Sequence, residues 1–118
     1  MGDLTERLAK GTAGKYGYDA LGVVVGATHP NELKDLRKRL AHSFFLVPGY
    51  GAQGGTAEDV QYAFDRYGHG AIVNASRSIL CAWKKREDMA FDAAARDEAL
   101  RMKQDLCDSL AAVGKAIK

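Results

Sequence analysis

Two short stretches of this sequence carry the residue types that hold an anion. The first is Pro48-Gly49-Tyr50-Gly51-Ala52-Gln53-Gly54-Gly55. Its glycines allow positive φ and let the main chain approach a ligand, while Gln53 offers an amide with little packing to do in such a loop. Thr56 follows as an N-cap, with Glu58 and Asp59 in the first turn, so a helix start with N–H donors and a positive dipole end adjoins the loop. On glycine content alone, a plain turn is an equal reading. The second stretch is Asn74-Ala75-Ser76-Arg77. Here a guanidinium fork and the N–H groups beside it head a short segment and suit a phosphate. The alternative for Arg77 is an ion pair with the C-terminal helix. Taken together, the glycine loop and the arginine turn point to phosphate binding.

Both stretches follow short apolar runs. Gly22 to Val25, Phe44 to Val47 and Ala71 to Val73 are rich in β-branched residues and too short for helices, as strands of a parallel sheet are. Each leads through a polar or glycine-rich turn into a helical pattern, so the βα unit repeats three times. Barrel enzymes commonly hold phosphate between the loops after strands seven and eight and the start of a short extra helix, which is the order found here. Pro30 opens one helix with Leu33, Leu36 and Leu40 on one face, and Val60, Ala63 and Phe64 form the stripe of the next. A long helix is expected from about Met89 to Lys118, with Phe91, Ala94, Ala95, Leu100, Leu106, Leu110 and Val113 turned inward. Trp83, Tyr62, Met89 and Met102 read as packing residues. Leu4 to about Lys15 reads as a further helix, ended by Gly11 and Gly14. The chain is thus expected to be a single α/β domain: a helix in 1–15, three βα units in 16–87 and a C-terminal helix in 88–118.

A length of 118 residues with 47% hydrophobic content buries one core. It does not reach the roughly 250 residues of a complete eight-stranded barrel. Three parallel strands alone leave open hydrogen-bonding edges and one uncovered apolar face, so further strands are expected, from a longer chain or from other copies. Seventeen basic and fifteen acidic residues give a net charge of +2, spread along the helices, with no footprint for nucleic acid or an anionic membrane. Cys81 and Cys107 form no Cys-x-x-Cys pair, and His29, His42 and His69 lie in turns without ligand spacing, which argues against zinc and against a disulfide framework. Two thiols and a polar N-terminus without a signal-peptide core fit the cytoplasm.

Three segments carry a family resemblance: Gly22-Val23-Val24-Val25-Gly26-Ala27-Thr28, Phe45-Leu46-Val47-Pro48-Gly49-Tyr50-Gly51-Ala52-Gln53-Gly54-Gly55 and Ile72-Val73-Asn74-Ala75-Ser76-Arg77-Ser78-Ile79. They are similar to strands six, seven and eight of orotidine 5'-phosphate decarboxylase in its longer bacterial subgroup, from about Tyr16 onward; what precedes matches less well. The resemblance implies a C-terminal part of a (β/α)8 barrel acting on orotidine and uridine 5'-phosphates, without metal or organic cofactor. It implies that Gln53 closes over the substrate phosphate and that Arg77 pairs with it, assisted by N–H groups at Ser76 and Arg77. Gly51, Ala52 and Gly54 would serve through their backbone. Pro48 and Tyr50 would line the base or ribose. Thr28, at the end of the first run, could reach the ligand as well, or cap the helix at Pro30.

The family's catalytic Lys and Asp residues lie on strands two and three, with one Asp from the other subunit of a dimer. No Asp-x-Lys-x-x-Asp occurs in this sequence. No catalytic residue is therefore expected here, and the chain alone is expected not to decarboxylate. Its expected partners are a nucleotide and either further copies of itself or an N-terminal barrel part. Two rival readings are a self-associating phosphate-binding partial barrel without activity and a piece of another phosphate-using barrel enzyme, such as a sugar-phosphate synthase.

Overall fold

A computed structural model describes residues 1–51 and 53–116. The elements in chain order are α1 (Gly2–Ala9), β1 (Gly22–Val24), α2 (Pro30–Arg39), β2 (Phe44–Pro48), α3 (Ala57–Val60), β3 (Ala71–Asn74), α4 (Ser76–Leu80) and α5 (Phe91–Ala112). Short 3-10 turns at Gln61–Ala63 and Ala82–Lys85 extend α3 and α4. The strands form one parallel sheet in the order β1-β2-β3, with Val24 opposite Leu46 and Leu46 opposite Ile72.

Alternation along β2 sets the two faces of the sheet. Phe45 and Val47 point to the helices and are fully buried, joined by Leu33 and Leu40 from α2, Val60 from α3 and Leu110 from α5. Val24, Leu46 and Ile72 share the opposite face as one cross-strand row, and among the described residues no element covers them: Val24 is 68% exposed and Ile72 56%. The sequence therefore specifies one closed apolar layer and one open one, as expected of a three-stranded parallel sheet. Arg37 of α2 seals the lower end of the core, its guanidinium 3.8 Å above the Phe45 ring and one Nη donating to the Ser43 carbonyl. Beside it the Tyr18 hydroxyl donates to Asp65 and fastens the segment before β1 to the turn before β3.

The helices differ from expectation at their ends. The first stops at Ala9 rather than near Lys15, because Gly11 turns to φ +84° and the Thr12 hydroxyl takes up the Ala9 carbonyl. In α5, Ala94, Met102 and Leu110 are buried and Leu106 packs against the core, whereas Phe91, Leu100 and Val113 are exposed. Met102 lies about 200° around the helix from Leu100, so only one of the two can face the sheet. Phe91 and Val113 lie at or just beyond the helix ends, where neither is covered. Trp83 and Met89 are exposed too, while Tyr62 packs against the core. The helix expected from about Met89 to Lys118 is also shorter, starting at Phe91 and ending at Ala112, where Gly114 turns to φ +75° and the Lys115 N–H takes the Leu110 carbonyl; Ile117 and Lys118 lie outside the described residues.

Candidate phosphate site

The loop after β2 owes its shape to hydrogen bonds that its glycines permit. Gly55 N–H donates to the Gly49 carbonyl (3.0 Å), Gly51 N–H to the Gly55 carbonyl (2.8 Å) and Gly54 N–H to the Gly51 carbonyl (2.9 Å). Gly49, Gly51 and Gly54 have φ of +100°, +78° and +91°, a region that costs most side chains strain. Gly55 is fixed by contact instead, since a Cβ there would sit 2.6 Å from the Ala27 Cβ and 2.7 Å from the Gly49 oxygen. The chain folds back on itself over the end of β1. Gly51 and Gly54 consequently spend their N–H groups inside the loop, and the expectation that they donate to an anion is corrected. Ala52, expected to act in the same way, lies outside the described residues.

A second correction concerns the helix start at Thr56. The Asp59 N–H donates to the Thr56 hydroxyl (3.2 Å), and the Thr56 N–H donates to the Asp59 carboxylate (3.0 Å). This reciprocal cap already supplies an anion to the first turn of α3, which Glu58 makes more acidic still. A phosphate would meet two carboxylates there in place of a positive field, whatever the Ala57 and Glu58 N–H groups still offer. The signature Thr-x-x-Asp was visible in the sequence and reads as a capping box.

The open donors lie across the sheet end, at α4. Ala75 is its N-cap and has no side chain to offer, so the leading N–H groups at Ser76, Arg77 and Ser78 have no intrahelical acceptor. The Ser76 hydroxyl and the Asn74 side chain hydrogen-bond each other at 3.2 Å and 3.4 Å. Arg77 is exposed and, among the described residues, makes no ion pair, so the alternative role of tethering the C-terminal helix does not apply.

Pro48, Tyr50 and Gln53 from the loop meet Ser76 and Arg77 from the turn around a cleft of about 100 Å³. Five of the seven residues anticipated from the sequence are thus brought together, with Asn74, Gly49 and Ala75 completing the wall. Asn74 was not singled out beforehand, although its place at the end of β3, two residues before Ser76, was a usable signal. Gln53 is exposed and its Oε1 lies back over Gly49, 3.1 Å from where a Cβ would stand. Gly54 and Thr28 do not line this cleft. The Thr28 hydroxyl contacts the His29 ring at 3.1 Å, and the N-cap of α2 is His29, with no side-chain cap bond, so Thr28 does not cap it either.

Tyr50 is only 4% exposed and its hydroxyl donates to Asp105 of α5. Burial first, and the carboxylate second, push its pKa above the usual phenol value. The ring lines the cleft while the hydroxyl clamps the loop to the long helix. The lining therefore offers one permanent cation, amide and hydroxyl donors and helix-start N–H groups, with no carboxylate or imidazole. Such a wall can hold a phosphate dianion and has no group to move a proton. Among the described residues no cluster of three metal-ligating side chains occurs, and no helix is long and apolar enough to cross a membrane.

No protein-family model matches the chain. An orotidine 5'-phosphate decarboxylase of Clostridium perfringens is 46% identical over 111 residues, which is 93% of this chain and 38% of that protein. A Toxoplasma gondii structure described as an orotidine-monophosphate-decarboxylase superimposes with a TM-score of 0.62 at 22% identity, covering 93% of this chain and 40% of that one. The Leishmania donovani UMP synthase structure gives 0.55 at 30% identity, covering 86% of this chain and 22% of that one. The parallel sheet and its helices are accordingly part of a (β/α)8 barrel. By sequence and by fold, this chain is a relative of the orotidine 5'-phosphate decarboxylases that spans about two fifths of the length of the curated ones it matches.

Proposed function

We propose that this chain is the phosphate-gripping portion of a barrel that decarboxylates orotidine 5'-phosphate to uridine 5'-phosphate, a carboxy-lyase step of pyrimidine biosynthesis. The observation that carries the reading is the convergence of Gln53 and Arg77 on one small cleft that is rich in donors and free of carboxylates. In this reading Arg77 pairs with the phosphate, the N–H groups at Ser76 and Arg77 donate to it, Gln53 closes over it, and Pro48 and the Tyr50 ring face the sugar or base. Binding energy gained at the phosphate, remote from the reacting carbon, serves to close and organise the site. Carboxylate crowding and protonation of the carbanion would fall to Lys and Asp residues of a type that this cleft does not contain.

Arg77→Ala tests the grip. A charge-assisted contact is worth about 1.5–3 kcal/mol, so affinity for uridine 5'-phosphate, measured by calorimetry, should fall by about one to two decades. The melting temperature should not move, because Arg77 makes no ion pair among the described residues. Unchanged affinity would remove Arg77 from the site.

The reading extends to partners and location. Val24, Leu46 and Ile72 are an apolar row that further strands would cover, either from other copies or from an N-terminal barrel part. Sedimentation of the chain alone should therefore show self-association that Ile72→Lys reduces; a monomer at all concentrations would contradict the self-pairing form of this proposal. The cytoplasm is the matching compartment, in keeping with the unpaired thiols of Cys81 and Cys107.

A further inference from the structure

Arg77 also lines a second and larger cleft of about 700 Å³, bounded by α4, the Ala82–Lys85 turn and α5. Its charges divide into two sets. Arg86 pairs with Asp97 (3.3 Å) and Glu98 (2.9 Å), and Arg101 pairs with Glu98 (2.8 Å), so these four neutralise one another. Arg77, Lys84 and Lys85 remain, and among the described residues none of them lies within ion-pair distance of a carboxylate. The Lys84 ammonium stands 5.7 Å above the Trp83 ring, which keeps its stem near the turn. Glu87 and Asp88 line a further cavity together with Lys84 and Lys85, and among the described residues neither carboxylate lies within ion-pair distance of either lysine.

The two clefts are adjacent. Arg77 belongs to both walls, and on the larger cleft's side Gly51 runs so close to Ser78 that a Cβ would fall 2.8 Å from the hydroxyl. An anion held at Arg77 in the small cleft thus has beside it a roomy cavity with unneutralised positive charge. A single phosphate already matched by Arg77 leaves the two lysines without a counter-charge.

We propose that the larger cleft receives the second phosphate of a diphosphate whose first phosphate occupies the small one, with Arg77 between the two and Lys84 and Lys85 beyond it. The proposal rests on the phosphate reading of the small cleft. It makes the site selective for diphosphate over monophosphate, whether as a nucleoside 5'-diphosphate or as free diphosphate.

Calorimetric titration of the chain with inorganic phosphate, pyrophosphate, UMP and UDP decides it. Two exposed charge contacts should make pyrophosphate bind about tenfold more tightly than phosphate, and UDP about tenfold more tightly than UMP. The double variant Lys84→Gln/Lys85→Gln, both on the surface, should abolish that advantage and leave phosphate and UMP affinities unchanged. Equal affinities for mono- and diphosphates, or an advantage that survives the double variant, would overturn the inference while the phosphate reading stands. A preference for pyrophosphate without one for UDP would overturn the nucleotide form and retain the free-diphosphate form. Binding of none of the four would overturn the phosphate reading and this inference with it.

Discussion

Removing one oxygen atom tests whether the glycine loop after β2 is held from the C-terminal helix. In Tyr50→Phe the buried ring keeps its shape, so no cavity forms, and the loss is confined to the hydroxyl that donates to Asp105. A hydrogen bond to an ionised carboxylate is worth about 1.5–3 kcal/mol. Asp105 is only partly buried, and water recovers part of that, leaving about 1–2 kcal/mol. For a domain of this size the melting temperature should drop by about 4–8 °C, read by circular dichroism. The loop would also spend less time in its binding-competent form, so apparent phosphate affinity should weaken by about three- to tenfold. A double-mutant cycle with Asp105→Ala should show coupling of about 1 kcal/mol or more. Additive losses would mean that the two side chains do not act as a pair. A lower melting temperature with unchanged phosphate affinity would show that the clamp serves the fold and not the loop, and the link drawn between α5 and the site would be refuted.

Two further outcomes follow from the same physics. Thr56→Ala breaks the reciprocal cap of α3 and should cost about 1 kcal/mol in thermal unfolding, with phosphate affinity unchanged; a large affinity loss would return the anion to that helix start. Tyr18 has its pKa raised by burial, and next by Asp65, from 10.0 to about 12. A folded-state pKa above the unfolded one gives stability that is complete below about pH 10 and declines as pH rises through about 12. Tyrosinate absorbance should therefore include a late component that shrinks in Tyr18→Phe, the part that is left belonging to Tyr50. A wild-type chain whose five tyrosines all titrate together near pH 10 would contradict this.

What could be read from the sequence was local. Leu33, Leu36 and Leu40 repeat at the helical period on one side of α2, and the apolar runs marked all three strands, because periodicity and β-branching act within a few residues. The cleft-forming pair of Gln53 and Arg77 was legible for the same reason, each lying just past the end of a strand. Three features were not. The Tyr50 clamp joins residues 55 positions apart, and no local pattern announces its partner. The inward face of α5 includes Met102 and leaves out Leu100, although both were read as packing residues, because apolar character alone does not fix which side of a helix meets the core. The spent N–H groups of Gly51 and Gly54 follow from three positive φ angles acting together, which glycine content permits without specifying. At Thr56 the N-cap and the acidic first turn were legible, and what was not read is that the Asp59 carboxylate closes the cap and occupies the helix start.

The row of Val24, Leu46 and Ile72 makes this chain the owner of one core and the shareholder of another. The first core is closed by the chain's own helices, so its contribution to stability is a constant of the sequence. The second is closed only by whatever lies against it, so its contribution obeys mass action and grows with the concentration of the covering strands. A melting temperature for such a molecule is a point on a binding curve. The candidate phosphate cleft lies at the end of β2 and β3, the strands that carry Leu46 and Ile72, so on the proposed reading ligand affinity and barrel completion should rise and fall together.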